Sequence, residues 1–151
     1  MKKLIASFLI FISLFAAAQK SKKEAADAIV IGKVKKSTNL IAELSYKVDG
    51  RDTLYTLKYK DAQTRGTGFY NYVRFTEKWV LDTLYSHISG VFSAEHKKDR
   101  DYKRTLRLDD NEVSVRPYHM MGATSAIVYS AGGYFYITSE QVDKLFAKKV
   151  E

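Results

Sequence analysis

The sequence predicts an α+β fold: a single domain with a twisted antiparallel sheet built from hairpins. One main helix, at about 76–93, packs on one face of that sheet, and a short C-terminal helix follows at about 139–149. Three observations predict it. Apolar and polar residues alternate on both sides of Asp49-Gly50, the pattern of a half-buried hairpin. Val80, Leu81, Leu84, Ile88, Val91 and Phe92 recur at helical spacing, which makes one apolar stripe. The remaining apolar runs are short and joined by turn residues, which favours antiparallel neighbours over parallel crossovers.

The chain opens MKKLIASFLIFISLFAAAQK. Lys2 and Lys3 precede an apolar stretch from Leu4 to Phe15, and Ala16-Ala17-Ala18 supplies small residues for cleavage. That is the anatomy of a secretory signal peptide over 1–18. As a helix, about 12 apolar residues rise only about 18 Å, short of a bilayer core about 30 Å thick. Export to the periplasm or outside the cell is therefore expected, with no transmembrane segment in the mature chain. The chain has no cysteine, so neither a lipid anchored through cysteine nor a disulfide is available, and stability must come from packing. Cleavage removes two lysines and no acid, lowering the net charge from +8 to +6. About 133 residues remain, enough for one domain with its own core. Eleven tyrosines, five phenylalanines and Trp79 stay in the mature chain. They are expected to form the bulk of that core, since a large ring buries about 150–250 Å².

Residues 19–27, QKSKKEAAD, read as a flexible basic leader, and 28–151 as the domain. AIVIGKV (28–34) is a β-branched strand. In the following hairpin, a type I′ turn centred on Asp49-Gly50 places Val48 opposite Arg51, Leu44 opposite Tyr55 and Ala42 opposite Leu57. The face carrying these residues is almost wholly apolar. The other face is mostly polar and sets Lys47 across from Asp52, a favourable pair. DAQTRGTG (61–68) is a loop and FYNYVRF (69–75) a strand. Thr76 caps the main helix and Glu77 suits its positive end. KKDRDYKR (97–104) is a charged loop. TLRLDDNEVSVRPY is a hairpin turning around Asp109-Asp110-Asn111, and SAIVYSAGGYFYIT is another, tight at Gly132-Gly133. Thr138 and Gln141 fit a capping box that starts the last helix. There is no internal repeat of fixed period.

The sharpest functional question lies in RPYHMMGATSA, 116–126. His119, Met120 and Met121 offer soft ligands suited to Cu(I). Adjacent strand residues point to opposite sides, however, so the two thioethers converge poorly. The favoured reading is a loop between strands: Pro117 edges a strand, a methionine fills the core and Gly122 permits the turn. No metal ligand set and no cofactor is implied.

Catalytic signatures are equally thin. A thiol nucleophile is excluded, and no serine lies in G-x-S-x-G. His87, beside the apolar stripe, reads as a partly buried, hydrogen-bonded residue. The acids of DRD (99–101) and LDDNE (108–112) lie in turns, where Asp and Asn serve the backbone. LDDNE lacks the glycine and distant glutamate of an EF-hand. RGTGFY (65–70) does not match a phosphate-binding loop.

The chain is thus expected to be a small exported binding module rather than an enzyme, with no catalytic residue assigned. The alternative is an extracytoplasmic hydrolase with a scattered site. An unidentified protein, a glycan or an anionic surface is the expected partner, and nucleic acid is disfavoured. Loops commonly carry function, so Arg116, Tyr118 and His119 are the candidate binding residues.

Overall fold

The computed structural model describes residues 28–64, 69–108 and 111–148. The expected signal peptide (1–18) and leader (19–27) lie outside the described residues. So do Arg65 to Gly68, Asp109, Asp110 and the last three residues.

The architecture is α+β with antiparallel strands, as the hairpin pattern predicts. Four strands form a first sheet: β1 (Ile29–Lys36), β2 (Asn39–Asp49), β3 (Asp52–Lys60) and β4 (Tyr70–Phe75). Helix α1 (Lys78–Gly90) follows. A second sheet holds β5 (Arg104–Arg107), β6 (Glu112–Met120), β7 (Ala123–Ser130) and β8 (Gly133–Ile137), and α2 (Ser139–Leu145) ends it. Each sheet is a meander in chain order. Four strands and a helix thus occur twice in unequal lengths, a repeat of topology that leaves no fixed period in the sequence.

The helices tie the halves together. Among the strands, α1 packs mainly on β5 and β6, and α2 on β1 and β2. Val80, Leu84, Ile88 and Val91 from the α1 region meet Leu44, Leu57, Val113, Val128 and Leu145 in one core. Aliphatic side chains dominate it. Among the described residues the buried rings are Tyr59, Phe75, Tyr102, Phe135 and Phe146, whereas Phe69, Tyr72 and Trp79 are exposed. The expectation of a mainly aromatic core is corrected accordingly. Most strand tyrosines are only half-buried, because the phenol hydroxyl keeps one end of the ring near water.

The β2–β3 hairpin keeps the predicted faces but not the predicted partners. Ala42 lies opposite Tyr59, Leu44 opposite Leu57 and Val48 opposite Thr53. The turn residues are therefore Gly50 and Arg51, one step beyond Asp49-Gly50. Only Gly50, with φ +64°, has left-handed backbone there, the pattern of a turn with glycine at its first central position. Pairing slips by two residues. Since side chains alternate with period two, the slip leaves the buried face unchanged. Lys47 then faces Leu54 rather than Asp52. Glu43 instead lies opposite Lys58 and forms a 2.5 Å ion pair with Lys33 of β1.

Helix α1 is shorter than its apolar stripe. Glu77, not Thr76, is the N-cap, and no side-chain cap bond forms. Phe75 remains paired with Tyr55 in the sheet, which leaves Thr76 and Glu77 to turn the chain. At the far end, Phe92 and Ser93 donate to carbonyls three residues back, so the helix tightens and stops. The capping residues of α2 are as expected: Gln141 Oε1 accepts the Thr138 N–H at 3.0 Å.

Gly32 permits a close approach of α2 to the first sheet. A Cβ there would strike the carbonyl oxygens of Lys144 and Leu145. The third hairpin turns at Ala131-Gly132, because Gly133 already pairs with Ser130 as the first residue of β8. That corrects the expected Gly132-Gly133 turn.

Candidate functional site

The segment 116–126 is not an irregular loop. Strand β6 continues through Pro117 to Met120, and Met121-Gly122 makes a two-residue turn into β7. Both turn residues have positive φ, +49° and +79°, the condition for a type I′ hairpin. Pairing with β5 ends at Val115, so Pro117 occupies an open edge where its missing N–H costs no ladder bond. Met120 and Met121 do not fill the core; they are 57% and 99% exposed.

This strand geometry separates the three candidate residues. Arg116, Tyr118 and Met120 share the outer face of the second sheet, and His119 lies on the other side. The Tyr118 hydroxyl donates to Met120 Sδ at 3.7 Å, while His119 Nδ1 hydrogen-bonds Thr124 Oγ1 at 3.2 Å. His119, Met120 and Met121 therefore diverge as ligands. Among the described residues no group of three or more His, Cys, Asp or Glu side chains could hold a metal. His119 borders a small hollow with Lys97, Lys98 and Arg100.

Around Tyr118 the outer face becomes a tyrosine surface. Tyr118 meets Tyr136 with ring centroids 4.9 Å apart, Tyr136 meets Tyr134 at 5.6 Å, and Tyr134 meets Tyr129 at 5.3 Å. All four are half-buried, and Ile127 is buried beneath them. From Ser114 to Tyr136 on this face, Arg116 is the one charged side chain among the strand positions of β6 to β8. The sequence carries the signal in YFYI: buried Phe135 and Ile137 alternate with outward Tyr134 and Tyr136. Burial, the main cause, and the neighbouring Tyr134 hydroxyl push the Tyr136 phenol up to about 12.

Tyr136 and Ser125 also line a groove of about 880 Å³. Leu40 and Ile41 line it, with buried Phe135 and Ile137 behind. Hydroxyls and amides from Ser37, Asn39, Thr138 and Gln141 border it, along with Lys35, Lys36 and Lys60. Tyrosine face and groove are therefore continuous through Tyr136.

Asp61, the first residue of the DAQT loop, stands at one wall of the groove, a role its sequence context does not signal. Its Oδ2 accepts from the Thr64 hydroxyl at 2.7 Å, and its Oδ1 accepts from the backbone N–H of Tyr134 at 3.1 Å and of Gln63 at 3.2 Å. The Thr64 bond foremost, with the two backbone donors, holds its carboxyl below the usual carboxylate range. Nearby, Ala62 N–H donates to Tyr134 O at 2.8 Å, and Tyr59 and Ser130 hydroxyls pair at 2.6 Å. Asp61 thus latches the end of β3 onto β8.

The other histidines have structural surroundings. His96 stacks on Tyr102 with centroids 4.2 Å apart. His87 is half-buried, yet its Nδ1 is shut from solvent with no hydrogen-bond partner among the described residues. The expectation that it is hydrogen-bonded is corrected at that atom. Burial first, and the Arg104 charge second, lower its pKa. No family model, curated protein or solved structure matches the chain.

Proposed function

We propose that this protein is an exported, non-enzymatic binding module that holds an extended, hydroxyl-rich ligand, an oligosaccharide chain, across the tyrosine face and into the adjoining groove. The continuity of the two through Tyr136 carries this reading. Phenol rings combine an apolar body with a polar tip, which suits the mixed C–H and O–H faces of a sugar ring. They also lose little conformational freedom on binding, having only two χ angles each. Ser125, Asn39, Thr138 and Gln141 offer the donors and acceptors that ligand hydroxyls require. Within this site Arg116 and Tyr118 keep the binding role expected of them, and His119 stands outside it.

A hydrolase is less well supported. Among the described residues the one carboxylate lining the groove, Asp61, directs its oxygens to three intramolecular donors, and none of the lining residues is a histidine. Export rests on the signal-like first 18 residues. N-terminal sequencing of extracytoplasmic protein should begin at Gln19, and Met1 retained there would refute cleavage.

The binding test is calorimetric titration with a panel of oligosaccharides. Tyr136→Ala should weaken any binder at least tenfold, whereas Arg74→Ala on the first sheet should leave it unchanged. Equal loss in both variants, or hydrolysis of the panel sugars, would refute the reading.

A further inference from the structure

The groove is built with an excess of positive charge. Lys35, Lys36 and Lys60 wall it, and none has a hydrogen-bond or ion-pair partner among the described residues. The one acid lining it among the described residues, Asp61, is occupied by Thr64, Tyr134 and Gln63. It is therefore not placed to neutralise the lysines through a direct contact.

Consecutive strand residues ordinarily point to opposite faces. Here the β1–β2 register shifts between Val34 and Lys35: Val34 pairs with Ala42, and Lys35 with Leu40. Ile41 is the extra residue of this bulge. Such a bulge re-aims side chains locally, and Lys35 and Lys36 both border the groove, as do Leu40 and Ile41. The next residue on the rim, Ser37, has φ +55°, a conformation rare outside glycine, asparagine and aspartate. Two local irregularities thus coincide at the cationic wall.

We propose that the groove selects acidic chains: an oligosaccharide bearing carboxylate or sulfate groups, with those groups seated between Lys35, Lys36 and Lys60 and its sugar rings leading out over Tyr136. The inference rests on the binding reading above and adds the charge of the ligand. An exposed ammonium is a strongly hydrated point charge, so the preference is carried by several lysines acting together and is weakened by salt.

The test titrates protein matured from the full chain with a uronic acid hexamer, a sulfated hexamer, a neutral hexamer and inorganic sulfate. At low salt at least one acidic hexamer should bind tenfold or more tightly than the neutral one, and that advantage should shrink as salt rises. The double variant Lys36→Gln, Lys60→Gln, which removes two of the three wall charges without reversing them, should abolish most of the acidic hexamer's advantage over the neutral one. Lys58→Glu, outside the groove, should change neither. Equal affinity for acidic and neutral hexamers in the parent protein would overturn the acidic preference and leave the binding reading standing. A preference that survives undiminished in the double variant would place the anion elsewhere and overturn the site. Inorganic sulfate binding as tightly as the sulfated hexamer would overturn the role of the chain. Binding of none of the hexamers would overturn both proposals. Circular dichroism of each variant separates loss of binding from loss of fold.

Discussion

Asp61 shows how much one side chain contributes to joining the two sheets. It receives a hydroxyl and two backbone donors from partners as far as 73 residues away in sequence. Asp61→Ala leaves two N–H groups without their acceptor, a loss of about 1–3 kcal/mol, which urea unfolding measures. Its lowered pKa sets the sign with pH: the contribution is complete above the ordinary carboxylate range and is lost as pH falls through the folded value. His87 acts at milder acidity. Its folded pKa lies below the ordinary histidine value of about 6.5, so the unfolded chain takes up a proton first. Stability is full above pH about 6.5 and declines below it. His87→Leu should flatten the unfolding midpoint between pH about 7 and 5, relative to the parent protein, since it removes the group that titrates there. An unchanged slope would assign that acid sensitivity to other groups. At this scale the sequence was legible in part. Period two in YFY put Tyr134 and Tyr136 on one face, but both faces of that stretch are aromatic, so pattern alone did not decide which was buried. Nothing in DAQT announced a latch, because the partner that makes it one, the Tyr134 N–H, comes from a distant hairpin.

Among elements, hairpin faces were far more legible than hairpin register. Alternation in 39–60 specifies which side is buried, and a slip of two residues satisfies it equally well. The choice fell to the turn, where glycine occupies the first central position, and to the fit of small Ala42 beside Tyr59. The β6–β7 hairpin was less legible because proline and glycine punctuate it. A proline is tolerated in a strand at an edge where no neighbouring strand lies alongside it, and β5 begins only at Arg104, opposite Val115. Met121 at its tip is 99% exposed with φ +49°. A non-glycine residue in that conformation costs about 1–2 kcal/mol. Met121→Gly should therefore raise unfolding stability, by about 1 kcal/mol once the added flexibility of glycine in the unfolded chain is set against it. It should leave oligosaccharide binding intact, since the tip lies outside the groove. Destabilisation by this change would mean that the Met121 side chain makes stabilising contacts despite its exposure.

For the whole molecule, composition and alternation sufficed for the α+β class and for a single core. They did not reveal that the strands divide between two sheets or that each helix packs on strands of the other half. Both depend on contacts between segments far apart in the chain, which periodicity does not encode. Tyr59 against Phe135, 5.0 Å between centroids, and the Asp61 latch are what join the sheets beside the groove. That joint fixes the tyrosine face relative to the lysine wall, so fold and site stand together. The central claim is that ligand binds where these two surfaces meet. The most direct measurement is an NMR titration of tyrosine- and isoleucine-labelled protein with an acidic hexasaccharide. Resonances of Tyr118, Tyr136 and Ile41 should move together along one binding curve. Silence at all three, or movement confined to tyrosines of the first sheet such as Tyr72, would contradict the account.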